Sequence, residues 1–250
     1  LGTVAWGRVA YAAGPYVVNA TGDASDWNPG DGECAIDTSI PGTCTLRAAL
    51  EEANAAAYYE YPITINFNIP GGGPHTIQPA TPLPAITGGA VIIDGATQPG
   101  ADCSVWPPTL QIELSGANAG EAGQGLIIST DGSTVRGLAI NDFASDGIFL
   151  TSGSNTIQCN FIGTDVTGLI ARSNGQSGIF VNGTAGNAIG GTTPGQGNLF
   201  AGHLFEPLRL AAADNNTVQG NIFGLDRNGA ALLGASNRGI LVTGSNNLIG

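Results

Sequence analysis

Asp142 and Asp146, in the short stretch NDFASDG, are the densest acidic pair in the repetitive body of this chain. A polysaccharide lyase needs carboxylates that hold calcium and a basic side chain that removes the proton beside a uronate carboxylate. Arg136 and Arg172 are the basic residues nearest to that role. A glycoside hydrolase instead needs two carboxyl groups about 5–9.5 Å apart. Asp165 and Asp226 qualify for consideration because the strings NTIQCNFIGTD and NTVQGNIFGLD recur 61 residues apart and each ends in Asp. Each also follows a Gly-x pair in a loop, where Asp ordinarily finishes a turn through its own side chain, and the turn is the reading adopted. No catalytic residue is therefore assigned. Asp142, Asp146, Arg136 and Arg172 stand as catalytic candidates, and Asp165 and Asp226 as candidate loop binding residues. His75 in PGGGPHTIQ and His203 in AGHLF have no Ser, Cys or carboxylate at motif spacing, so no metal site is assigned. No cofactor is assigned, and calcium is the one candidate that this acidic chain offers.

The elements that carry these residues repeat. Apolar strings begin at Gly125, Gly147, Gly178, Pro207 and Gly239, in steps of 22, 31, 29 and 32 residues. A second set follows in phase from Ser133, Asn155, Asn187, Asn216 and Asn247, and a third from Leu138, Asn160, Asn198 and Asn221. Three short strands per unit, with no helical pattern between them, describe one turn of a parallel β-helix, in which stacking supplies the core that a single unit lacks. The 61-residue period is then two tiers, because long loops (163–177 and 224–238) alternate with short ones. Those long loops are expected about 9–10 Å apart at the usual strand spacing. Asn155, Asn187, Asn216 and Asn247, and likewise Asn160, Asn198 and Asn221, are read as structural ladders. Asn tolerates the left-handed region, and its amide can bond the equivalent residue on the next tier. Asp146, Glu206 and Arg238 each precede a first strand and suggest a surface column.

The front of the chain is different. Cys34 and Cys44 sit ten apart in a Gly-, Asp- and Pro-rich loop and are read as a disulfide worth about 2–3 kcal/mol. A second bridge between Cys103 and Cys159 is available. In CTLRAALEEANAAA, residues Leu46, Ala49, Leu50, Ala53 and Ala57 form one stripe at helical spacing, with Thr45 as N-cap. This predicts an amphipathic helix over 45–57 lying across the open end of the stack. Residues 1–16 are a signal tail or an N-terminal strand, 17–62 the cap, and 63–250 the parallel β-helix, which is expected to continue past Gly250.

Composition narrows the function. Nineteen Asp and Glu stand against seven Arg, with no Lys, for a net charge of -12. Such a chain cannot neutralise a row of phosphates, so nucleic acid is excluded as a partner. No run of 18 apolar residues exists, so no membrane insertion is expected within this segment. The three Trp fall outside the regular units, which argues against a long sugar-stacking platform.

CTLRAALEEAN, with GDGEC, PGGGPHTI and IDGATQPG around it, resembles the signature of the CSLREA-type bacterial extracellular proteins, from about Val17 onward. Ala48 stands where that motif usually has Glu. The resemblance implies a right-handed parallel β-helix with IGGTTPG and IGTD repeats, in a secreted or surface-attached protein. It supplies no catalytic residues. The function expected is a structural or adhesive β-helix, a rigid spacer or interaction surface that meets cell-envelope polysaccharide, another surface protein or further copies of itself. The alternative is a polysaccharide-binding or polysaccharide-cleaving module, with the long loops as the wall of its groove.

Overall fold

A computed structural model describes residues 14–39, 42–56, 61–121, 123–234 and 239–250. The described residues form three sheets, and every pairing between their strands is parallel. The eight-stranded sheet holds Tyr16–Val18, Ile63–Phe67, Val91–Asp94, Thr134–Arg136, Thr156–Gln158, Ala188–Gly190, Thr217–Gln219 and Leu248–Ile249. The six-stranded sheet holds His75–Ile77, Ile112–Ser115, Leu138–Asn141, Phe161–Ile162, Leu199–Phe200 and Ile222–Phe223. The five-stranded sheet holds Leu126–Ile128, Ile148–Leu150, Ile179–Asn182, Leu208–Ala211 and Ile240–Thr243. Spatial order equals chain order in each sheet, and from Leu126 onward the chain visits the three in strict rotation. Ile86, which pairs with Ile128 through a single parallel bridge, adds one more tier to the five-stranded sheet.

Register explains the core. Ile65, Ile93, Val135, Ile157, Ile189 and Val218 lie over one another on successive strands, and all are buried. β-branched side chains suit such a column because they pack well on a pleated surface. The six-stranded sheet departs from simple alternation. Its consecutive apolar pairs, Phe161 with Ile162 and Leu199 with Phe200, are buried on both faces. Phe200 belongs to the main core, where it stacks on Phe223 with centroids 4.8 Å apart. Phe161 and Leu199 point the other way, into a second cluster with Ala139, Leu110 and Val166, against which Trp106 packs.

The helix runs Leu46–Ala55, shorter at both ends than the predicted 45–57; Ala57 lies outside the described residues. Thr45 is its N-cap and accepts from the Ala48 amide at 3.0 Å. At the other end the Tyr61 hydroxyl donates to the carbonyls of Ala53 and Ala56, and the chain leaves Ala56 extended. The helix packs on the strand Tyr16–Val18 at the first end of the stack and shares its core. It is buried beyond the predicted stripe, since Arg47, Ala48 and Glu52 are covered as well.

Every polar member of the motif has a bonded reason to be there. Arg47 forms a two-pronged pair with Asp23 and reaches the carbonyls of Thr81 and Pro82. Glu52 accepts the amides of Gly30 and Gly32, so the GDGEC loop folds around a carboxylate. Asn54 bridges Ala85, Thr87 and Gly88. Two disulfides, Cys34–Cys44 and Cys103–Cys159, pin this cap and the excursion 102–109.

Candidate functional site

Three excursions cover the outer face of the six-stranded sheet. Residues 163–172 form a hairpin: Arg172 donates its amide to Gly163, Asp165 donates to Ile170, and a bridge joins Thr164 to Ala171. Residues 224–233 repeat it 61 positions later, with Leu233 on Gly224, Asp226 on Ala231 and a bridge from Leu225 to Leu232. The 102–109 excursion closes in the same antiparallel manner and is tied down by the Cys103–Cys159 bridge. Trp106 at its tip meets Phe161 edge-on at 6.2 Å and donates its indole N–H to the Arg227 carbonyl.

The two hairpins touch, where a 9–10 Å separation was expected. The Arg227 amide donates to the Gly168 carbonyl at 3.0 Å, and its guanidinium reaches the Thr167 carbonyl. The intervening tier contributes only the short segment at Gly202, which takes the Leu233 carbonyl on its own amide. A Cβ on Gly202 would meet that of Ala171 at 3.1 Å, so the hairpins close over this glycine because it has no side chain.

Asp165 and Asp226 lie inside these hairpins as turn residues. One Asp165 oxygen accepts the amides of Leu169 and Ile170, and both accept the Thr167 hydroxyl. Asp226 accepts the amides of Asn228 and Ala230. The amide of Ala230 foremost, with those of Ala231 and Asn228, holds the Asp226 carboxyl below its usual range.

Of the four catalytic candidates, the structure brings Asp142 and Arg172 together as an ion pair and gives Arg136 and Asp146 other partners. Asp142 pairs with Arg172 at 3.2 Å, with the Ser115 hydroxyl also on it. Arg136 pairs with Asp94, its register neighbour in the eight-stranded sheet. Asp146 is buried and accepts the Ser177 amide at 2.9 Å and the Gln124 side chain; burial pushes its carboxyl up. The expected surface column is thus corrected, because Asp146 and Glu206 are both interior. A residue just before an inward-pointing strand is drawn in with it. Arg238 lies outside the described residues.

The two Asn ladders work through the backbone. Asn155 Oδ1 accepts the Ser133 amide, Asn187 Oδ1 that of Asn155, Asn216 Oδ1 that of Asn187, and Asn247 Oδ1 that of Asn216, all at 2.8–3.0 Å. Asn160, Asn198 and Asn221 take the amides of Leu138, Asn160 and Asn198 in the same way. The left-handed residue is not the ladder Asn, as expected, but at six of the seven positions, all but Asn198, the one before it. Ser154, Asn215 and Asn246 have φ of 56°, 54° and 58°, Cys159 has 57°, and Gly186 and Gly220 do likewise. That reversal turns the chain so that the next side chain points inward beneath the amide of the preceding tier.

Sequence reasoning missed several structural roles. Asn174 is fully buried and accepts the Phe143 amide, anchoring the end of the first long loop. His203 is buried with Nε2–H on the Ile162 carbonyl at 3.0 Å; burial pushes its pKa down to about 4. On the outside of the five-stranded sheet Phe149 and Phe180 lie 5.1 Å apart, with the Arg209 guanidinium 4.5 Å from the Phe180 ring. The register puts these three in one row. The Phe149 and Phe180 rings are tilted by 37° and the guanidinium lies over Phe180, so the row stiffens the sheet. Among the described residues no group of three or more His, Cys, Asp or Glu is gathered to hold a metal ion, and no helix is long and apolar enough to cross a membrane. No family model matches the chain, and neither a curated protein nor a solved structure matches it.

Proposed function

We propose that the three sheets are the faces of a right-handed parallel β-helix of the CSLREA type, which works outside a bacterial cell as a rigid spacer and interaction surface. The rotation of the chain through three parallel sheets supports the architecture, and the disulfides fit an oxidising compartment. One observation carries the functional part. The carboxylates that the sequence offered for chemistry are each engaged in holding a turn, a salt pair or a buried corner: Asp165 and Asp226, Asp142, and Asp146. A carboxylate committed to backbone amides or to an ion pair is a poor proton carrier, whereas the same bonds make a stiff scaffold.

The test is incubation with pectate, alginate and hyaluronate, with and without calcium, following unsaturated products and new reducing ends. No turnover is expected on any of them. Turnover that Asp142→Ala or Asp146→Ala abolishes would overturn the scaffold reading in favour of a polysaccharide-cleaving module.

A further inference from the structure

We propose that the paired hairpins 163–172 and 224–233 form a docking surface for the same hairpins of a second copy of this chain, the two related by a two-fold axis. The first ground is apolar exposure. Ile170 and Leu169 on one hairpin are 58% and 47% exposed, and Leu232 on the other is 85% exposed. Leu204 and Phe205, on the short segment between them, are 69% and 56% exposed. Single exposed apolar residues are ordinary, but five on three segments joined through their backbones concentrate apolar surface in the way that marks an interaction site. The segments are stitched together by the Gly168–Arg227 and Gly202–Leu233 bonds, so the patch is held in shape before any partner arrives.

The second ground is where the charge lies. Residues 1–131 hold thirteen Asp and Glu against two Arg, whereas residues 132–250 hold six against five. Two copies of a chain with net charge -12 repel each other wherever their front halves approach. The hairpins sit in the near-neutral half, where both signs are present in Arg172 with Asp142 and in Arg227, so that face can meet its own image. Arg in place of Lys suits the rim of such a contact, because a planar guanidinium loses less on desolvation. A two-fold pairing of like patches is the commonest way for identical chains to associate.

This contact deepens the scaffold reading by naming the surface and its partner, and sedimentation velocity over a range of concentrations tests it. The wild type is expected to dimerise, and more tightly at high salt, because salt screens the repulsion between the front halves while leaving the apolar contact intact. Ile170→Asp with Leu232→Asp, at sites more than half exposed, should weaken dimerisation by at least about tenfold with circular dichroism and melting unchanged. Trp27→Asp, at a 56% exposed aromatic in the acidic half, should leave it unchanged. A monomer at all concentrations, dimers that dissolve in salt, or dimers that survive the hairpin substitutions would each overturn the proposal. So would a dimer lost through Trp27→Asp or through Ile249→Asp at the last strand. None of these results bears on polysaccharide turnover, and turnover would not explain a hairpin-dependent dimer, so the two readings fail separately.

Discussion

A ladder Asn in this chain is a backbone device. Asn187 is buried; its Oδ1 takes the amide of Asn155, and its own amide and side chain both reach Asn216. Asn187→Leu would leave the Asn155 amide buried without an acceptor, which costs about 1–3 kcal/mol. Asn247 is only half-buried, so Asn247→Leu should cost less than about 1 kcal/mol when the two variants are compared by urea titration. The reason these Asn residues were visible in the sequence is their recurrence with a strand after each. The conformation was misplaced by one position because recurrence says where a turn is, and not which of its residues reverses φ.

His203 and Asp146 carry opposite signs in acid. Burial pushes the His203 pKa down to about 4, so the unfolded chain takes up its proton first as pH falls from 6.5. That contribution is whole above the unfolded value and is lost between pH 6.5 and about 4, amounting to about 3 kcal/mol. Comparing unfolding free energies of the wild type and His203→Gln across this range should show the wild type losing more. The Asp146 carboxyl is raised, so the folded state protonates first and acid relieves a cost that is present at neutral pH. Asp146→Asn keeps an acceptor for the Ser177 amide and removes the buried charge. It should leave stability at neutral pH unchanged or higher by about 1 kcal/mol, with the pH dependence shallower than in the wild type.

At the scale of elements, the excursions and the cap decide how the stack is sealed. The Cys103–Cys159 bridge closes a span of 56 residues and fastens 102–109 over the six-stranded sheet. The Cys34–Cys44 bridge closes a span of ten. Loop entropy makes the first worth about 4 kcal/mol and the second about 3. Replacing Cys103 and Cys159 by Ser should therefore lower the unfolding free energy more than replacing Cys34 and Cys44, and should open the chain near Trp106 to limited proteolysis. The strands themselves were legible because their apolar strings recur in phase. The outer covering of the six-stranded sheet was not read, although it had a signal. Adjacent apolar pairs such as Phe161 with Ile162 cannot both face one interior on a strand of period two, so something must cover the other side. Tandem glycines in GDGEC looked like an ordinary loop, and only the fold brings their amides to Glu52.

For the molecule as a whole, the claim is that polar side chains are the joints of a stack of parallel tiers, and that the surface they stiffen is what other molecules meet. Charge asymmetry between the halves could be counted from the sequence, but the exposure of Ile170 and Leu232 could not, because burial is decided only once the tiers are superposed. Native-state hydrogen exchange resolved to single amides tests the claim most directly. The amides of Asn155, Asn187, Asn216, Asn160 and Asn198 should exchange only with global unfolding, in step with the strands on either side. Exchange of those amides through local openings, while the flanking strands stay protected, would contradict it.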